Sequence, residues 1–361
     1  VRDFDVLGLE STHTTKLRLA LDLNDVGVAA GLPTQVCLKS NWSEGIKTGD
    51  ICEREARFYY LAAEALDAPL PRSYYADWDG DGGGRGIVVM EDLEAAGGRF
   101  GNAADHLGVD GVAGSLESLA SLHGALWGSA VLDDDRMLPR SMDTPVDTEQ
   151  VIRLFNYLAL NLEDPAYQAV LPAWAYETPE QLNFLLDELS AYEQEQAGPL
   201  CLVHGDAHQG NSYVGADGRR IWLDFQLARR GTPWRDVNYF MIGALTIDER
   251  RGNDRALFAH YRDALVSTGA EGVPDEDDAW EQFRRWTAYG MQCWLGNVDR
   301  WGQDGIEIVR RFYAAGDDYD TVALLTAGKR PRRMMTPGEG ASPLPPDLQE
   351  LRDSRRPTGA V

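Results

Sequence analysis

The sequence predicts an α+β protein in two unequal parts, a small strand-rich lobe followed by a large, mainly helical one. Three observations carry that expectation. Residues 1–93 read as short strands interrupted by one helix, residues 94–328 are dominated by apolar residues at helical spacing, and residues 329–361 lose both patterns. At 361 residues and 43% hydrophobic content, the chain is long enough to give each lobe a core of its own.

The elements follow in order. KLRLALDL (16–23) alternates apolar and polar residues, TQVCLKS (34–40) is a short strand, and GIVVMEDL (86–93) is another. DICEREARFYYLAAEAL (50–66) is an amphipathic helix with Asp50 as its expected N-cap. In the second part, SLESLASLHGALWGS (115–129) sets Leu116, Leu119, Leu122 and Leu126 at helical spacing, and the stretches 147–160 and 179–196 repeat the pattern. Strands return in CLVHG, NSYVG and RRIWLDFQ, with ADG (216–218) as the turn between the last two. WEQFRRWTAYGMQCWLGNVDRW (280–301) reads as one helix carrying Trp286, Gly290, Trp294, Asn297 and Trp301 in one sector.

Charge narrows the function classes. A formal net charge of −24 excludes a general affinity for nucleic acid or an anionic membrane, both of which demand a basic surface. A chain this acidic must gather its cations locally to handle a phosphate. Residues 329–361 hold seven Lys or Arg against four Asp or Glu and are rich in proline, so they form either a mobile tail or a strap on the acidic body. Cys37, Cys52, Cys201 and Cys293 form no C-x-x-C pair, which points to a reducing compartment. No apolar run reaches the roughly 18 residues of a membrane span, and no signal-peptide pattern opens the chain. The expected location is the cytoplasm.

The chemistry concentrates in LVHGDAHQGNSYVGADGRRIWLDFQ (202–226). Phosphoryl transfer needs a base on the attacking hydroxyl, a divalent cation on the phosphates and a fixed positive charge beside them. Asp206 and Asn211 have the D-x-x-x-x-N spacing by which a kinase catalytic loop supplies a base and a metal ligand. Asp224, at the end of the next hairpin strand, adds a second oxygen ligand, and such donors suit Mg2+. Upstream, Lys39 ends a strand, and Glu55 on the following helix is placed to orient it and keep it charged; Glu53 is on a different helical face. Glu91 to Leu93 then form a hinge whose main chain faces a nucleotide base. Other readings remain open. His204, Asp206 and His208 also spell a metal-hydrolase pattern, although His13, His106, His123 and His260 form no spaced pair. A non-catalytic nucleotide-binding module is a third class, and Lys39 with Glu55 read alone is an ordinary surface pair.

Taken in order, Lys39, E-x-x-F-Y (Glu55 to Tyr59), EDL (91–93), LASLH (119–123), HGDAHQGN (204–211), LDFQ (223–226) and PWRDVNYF (233–240) resemble the aminoglycoside/choline kinase-like phosphotransferases. The likeness spans about residues 8–328 and is greatest to the ecdysteroid-kinase-like branch. It implies a two-lobed protein-kinase-like fold, ATP and Mg2+ as cofactors, and phosphorylation of a hydroxyl on a small-molecule acceptor. It makes Asp206 the catalytic base, Asn211 and Asp224 the Mg2+ ligands, Lys39 the phosphate contact and Glu55 its partner. Asp236 would steady the catalytic loop, its alternative being a simple helix N-cap, and His204 would be structural. Two departures favour a constitutively competent small-molecule kinase: Gly205 stands where protein kinases carry the arginine of H-R-D, and Gln226 replaces the glycine of D-F-G. GLESTHTT (8–15) holds one glycine, so Ser11 and Thr12 are the expected phosphate contacts in place of a glycine-rich cradle. For the acceptor, the tryptophans of 280–301 favour a largely apolar alcohol, with core packing as their other explanation. The carboxylates Asp299, Asp317 and Asp318 would instead suit a cationic amino alcohol or an aminoglycoside.

Overall fold

The computed structural model describes residues 1–11, 14–42, 50–62, 70–134, 136–140, 158–178, 180–196, 198–296 and 301–327, with 349, 350 and 354 beyond them. It is an α+β fold, a small antiparallel sheet followed by a large helical lobe.

The sheet runs in the order β1-β2-β3-β5-β4, formed by Asp3–Ser11, Thr15–Asp22, Gln35–Ser40, Gly86–Glu91 and Ser73–Trp78 respectively. Strand β3 is central, and its Lys39 is paired with Lys16 of β2 on one side and Val88 of β5 on the other. The expectation of a single helix here is corrected. A short α1 (Asp25–Ala29) precedes the long α2 (Ile51–Ala62), nucleated by the Asn24 side chain, which accepts from the Gly27 N–H. Asp50 gives α2 its first carbonyl, to the Arg54 N–H at 2.8 Å, while its carboxylate goes to the Arg54 guanidinium. Helix α2 lies across β4 and β5. It comes so close that a Cβ on Gly86 would fall 2.3 Å from the Cys52 carbonyl oxygen, so only glycine fits at that crossing.

In the helical lobe, α3 (Gly108–Ala125) buries Leu116, Leu119 and Leu122 completely, and Leu126 just beyond it is nearly so. Helix α4 (Glu180–Glu195) and the helical residues 158–163 bear out parts of the predicted helices, whereas 147–157 lie outside the described residues. The core is built around α5 (Trp234–Ala244), every residue of which is buried among α3, α7 (Glu276–Leu295) and α8 (Gly302–Asp318). Helix α6 (Ile247–Ser267) opens with a full capping box between Thr246 and Glu249, and α9 (Thr321–Thr326) closes the described lobe. The helix expected over 280–301 is corrected: it ends at Leu295, with Gly296 as its C-cap, and Trp301 instead caps α8. Asn297 and Asp299 lie outside the described residues, as does nearly all of 329–361.

The remaining strands frame the catalytic stretch. β6 (Arg99–Phe100), β8 (Ser212–Val214) and β9 (Arg220–Trp222) form one small sheet, and β7 (Cys201–Val203) pairs with β10 (Arg229–Gly231). Among the described residues no helix is long and apolar enough to cross a membrane, and all four cysteines are free thiols.

Candidate active site

A cleft of about 480 Å³ lies between the sheet and the helical lobe, lined by Lys39, Glu55, Glu91, Leu93, Asn211 and Asp224 among others. Its centre is Lys39. The Nζ atom is 2.8 Å from Glu55 Oε2 and 2.7 Å from Asp224 Oδ1. Burial works against the Lys39 charge, but the two carboxylates override it and hold its pKa above the ordinary lysine value. Burial raises the pKa of Glu55. For Asp224 the burial penalty is outweighed by Lys39, and its pKa falls below the usual carboxylate range.

The E-x-x-F-Y motif has a geometric explanation. Glu55, Phe58 and Tyr59 sit three and four residues apart, hence on one face of α2. Glu55 also accepts from the Phe225 N–H at 3.2 Å, and the Phe58 ring stacks on Phe225 with centroids 3.8 Å apart. The helix thus grips both the lysine and the D-F segment. Asp224 itself takes a left-handed backbone (φ 66°, ψ 61°), a conformation uncommon for a residue with a side chain. The residue before it is fixed at both ends of its backbone: the Leu223 carbonyl accepts from His204 Nε2 at 2.7 Å, and the Leu223 N–H donates to the Asn211 carbonyl at 2.9 Å.

Asp206 and Asn211 meet directly. Asn211 Nδ2 donates to the Asp206 carbonyl at 2.9 Å and to its carboxylate at 3.0 Å. That commitment leaves the Asn211 amide oxygen without a hydrogen bond among the described residues, while the Asp224 carboxylate is one-third exposed to the cleft. An amide oxygen and a carboxylate of this kind fit a hard cation such as Mg2+. The two loop histidines do not converge as metal ligands. His204 is fully buried with Nε2 on a carbonyl, and His208 Nδ1 accepts from the Gly210 N–H at 3.0 Å.

The loop is anchored from behind by Asp236, on the fully buried α5. Its carboxylate accepts from the His204 N–H at 2.6 Å and the Gly205 N–H at 2.9 Å. Desolvation opposes the Asp236 charge, but the His123 hydrogen bond and the loop N–H groups prevail and lower its pKa. Gly205 has φ 86°, and a Cβ there would sit 2.0 Å from the Leu227 carbonyl oxygen, which explains glycine at this position.

Sequence reasoning left several residues without a role. His123, the end of LASLH, connects Asp236 (3.1 Å) to the Tyr261 hydroxyl (2.7 Å). Arg235 donates to the Gly205 carbonyl at 2.7 Å. Arg18 on β2 makes a two-oxygen contact with Asp92 just past β5, at 2.9 and 3.0 Å. His208 faces the Asp206 carboxylate with Nε2 3.7 Å away. The signal available for His123 and Arg235 was their place in the quoted motifs. His208 likewise lies inside a quoted motif, HGDAHQGN, whereas Arg18 offered no periodic or spacing cue. On the nucleotide side, β1 contributes Gly8, Leu9 and Glu10 to the cleft wall; Ser11 is exposed at the strand's end, and Thr12 lies outside the described residues. Leu93 presents an N–H with no partner among the described residues.

The chain is similar to several solved structures. A protein from Ralstonia eutropha, assigned as an aminoglycoside phosphotransferase, is 14% identical across 89% of this chain and 92% of its own, with a TM-score of 0.50. A choline/ethanolamine kinase family protein from Mesorhizobium loti gives 16%, 90%, 93% and 0.43. A choline kinase from Streptococcus pneumoniae gives 12%, 87%, 95% and 0.47. At such identities the first of these speaks to a shared protein-kinase-like fold. No curated protein sequence matches the chain. The family profile described as ecdysteroid kinase-like matches residues 43–271, more than half of the chain, and takes in Glu55, the 204–211 loop, Asp224 and Asp236. The chain therefore belongs to the ecdysteroid kinase-like family of small-molecule phosphotransferases.

Proposed function

We propose that the chain transfers the γ-phosphate of ATP to a hydroxyl of a small, largely apolar alcohol. The observation that carries this reading is Lys39 held between Glu55 and Asp224 in the cleft that Asn211 also lines. Lys39 would contact the α- and β-phosphates while Glu55 fixes its direction. Glu91 and the free Leu93 N–H would meet the nucleotide base, with Ser11 and Thr12 near the phosphates. Asp224 and Asn211 would hold Mg2+, which supplies charge neutralisation on the transferring phosphoryl group. Asp206 would take the proton of the attacking hydroxyl, its carboxylate oriented by Asn211 and faced by His208. On this reading the two lobes divide at the hinge, 1–93 from 94–328, with 329–361 as a separate tail.

The acceptor reading rests on the neighbours of His208. The rings of Trp294 and Trp301 lie with centroids 5.7 and 6.2 Å from the His208 ring. Trp286, Gly290 and Trp294 itself are core: Trp286 and Trp294 are each 2% exposed, and a Cβ on Gly290 would strike Phe312 at 2.0 Å, which leaves the half-buried Trp301 as the ring offered to an acceptor. Of the carboxylates that would favour a cationic acceptor, Asp318 is already neutralised by Arg250 and Arg251. Aromatic faces also attract quaternary ammonium groups, so an amino alcohol is the second reading. The deciding experiment supplies ATP, Mg2+ and a matched panel of neutral and cationic alcohols, with product masses recorded. Turnover confined to cationic acceptors and falling steeply with salt would defeat the apolar assignment. Equal ATP consumption by a folded Asp206→Asn protein would defeat the mechanism.

A further inference from the structure

Beside the catalytic residues runs a second, differently built set of charges. Arg54 precedes Glu55 on α2, Arg229 follows Asp224 by five residues on β10, and Arg235 precedes Asp236 on α5. Arg54 and Arg229 are only 2% and 7% exposed. Arg54 gives Nη2 to the Asp50 carboxylate, but its buried Nε and Nη1 meet no partner. Arg229 has buried, unpartnered Nε and Nη1 atoms, and no side-chain hydrogen bond or ion pair engages it among the described residues. Burial, and then the Arg235 and Arg54 charges, push the Arg229 guanidinium down to about 9.

An arginine in a protein does not escape burial by giving up its proton, so the cost of an unpaired guanidinium persists until an anion meets it. This chain has 58 Asp and Glu with which to meet it. It uses them for other arginines: Arg18 takes Asp92, and Arg250 takes Asp318. Beside Arg229 the described residues place none within ion-pair distance.

We propose that Arg54 and Arg229, backed by Arg235, form a binding site for a phosphoryl-type oxyanion, separate from the nucleotide cleft. Guanidinium forks match the oxygens of phosphate, and a dianion balances two such groups where one carboxylate would not. The site joins α2, β10 and α5. Strand β10 sets Arg229 opposite Val203, the residue before His204, so a bound anion would brace Glu55, the D-F segment and the catalytic loop together. That coupling rests on the phosphotransferase reading; the binding itself does not. The shared chemistry is a phosphate dianion, whether free or carried on an organic phosphomonoester.

The test uses the full chain in chloride buffer at fixed ionic strength, with ADP and Mg2+ saturating the cleft. Inorganic phosphate should raise the melting temperature by about 4 °C at saturation. Arg229→Met should abolish the shift. Arg229→Lys, which keeps the charge and loses the fork, should weaken phosphate about tenfold, and it serves if the Met variant does not fold. A parallel titration with glycerol phosphate identifies the source: binding at least tenfold tighter than inorganic phosphate assigns an organic phosphate, and equal binding assigns the free ion. Turnover measured with and without phosphate reads the coupling, with a several-fold rise expected in wild type and none in Arg229→Met. No shift with either anion, or a shift that survives in Arg229→Met, overturns the site. A clear shift in a chain that shows no ATP turnover supports the site and counts only against the functional reading.

Discussion

Two buried charge clusters share helix α2 at neighbouring residues, Glu55 and Arg54, and they are built on opposite terms. Around Glu55 the chain supplies everything: Lys39 is flanked by two carboxylates, and Glu55 spends its remaining capacity on the Phe225 N–H. Around Arg54 it supplies one partial contact, and around Arg229 none among the described residues. Burial is similar in the two places. The difference is who completes the charge: the fold itself in the first case and, on our proposal, a molecule from solution in the second. Buried ionic groups cost several kcal/mol unless matched, so the first cluster should behave as part of the scaffold and the second as a receptor.

The largest effects should come from breaking the completed cluster at its chemistry. Asp206→Asn is expected to lower kcat by about 10²–10⁴ with nucleotide affinity unchanged, as for loss of a general base. Asp224→Ala should reduce turnover at least as far, and Zn2+ should not restore it, because zinc prefers nitrogen and sulfur donors. Recovery with Zn2+ alone would revive the hydrolase reading.

The comparison is sharpest in a pair of methionine variants. Lys39→Met strands two carboxylates and should destabilise the chain by about 3–5 kcal/mol. Arg229→Met removes a stranded charge and, in anion-free buffer, should be neutral or stabilising by about 1–4 kcal/mol. Chemical denaturation of the two side by side decides it, and a similar large loss in both would erase the contrast.

Acid should act on the first cluster and the loop behind it. His204 is buried, and that burial lowers its pKa below the unfolded value of about 6.5. The unfolded chain therefore takes up this proton first, so stability present above about pH 6.5 declines as pH falls towards the folded pKa. The lowered pKa values of Asp224 and Asp236 add a second loss beginning near about pH 4. Melting temperature against pH should show both limbs, and His204→Gln should flatten the upper one. The smallest effect concerns the acceptor. Trp301, half-buried, should on change to Ala raise KM for the acceptor about tenfold and leave KM for ATP alone. Trp294 is a poorer probe, since at 2% exposure its removal costs about 3–5 kcal/mol of fold.

Much of this was legible in the sequence because it is local or periodic. The three strands quoted from the first lobe, the Leu stripe of α3 and the spacing from Asp206 to Asn211 are short-range patterns, and the structure places each in an element of the expected type. The tryptophan helix failed at a local signal as well, since the Gly296-Asn297 stop was overridden by an attractive wheel. The arginine seam was invisible for a different reason. Arg54 lies far along the chain from Arg229, and what marks the two is buried guanidinium nitrogens without a partner among the described residues, which no residue pattern records. Gly205 stands between these cases: the missing arginine of H-R-D is plain in the sequence, while the Leu227 carbonyl that excludes any side chain there appears only in three dimensions.

The tight crossing at Gly86 has a mechanical consequence. The Glu53 N–H also donates to the Gly84 carbonyl at 3.2 Å, so the first turn of α2 is pinned to the sheet and acts as a fulcrum. Glu55 stands about 4.5 Å along the axis from Cys52 and Phe58 about 9 Å, at 1.5 Å per residue. A tilt of the helix about that point moves Phe58 twice as far as Glu55. The lysine grip is thus on the short arm of the lever and the Phe58–Phe225 stack on the long one. Small rotations would loosen the aromatic stack well before they part Glu55 from Lys39, which makes the stack, rather than the ion pair, the sensitive gauge of α2 position.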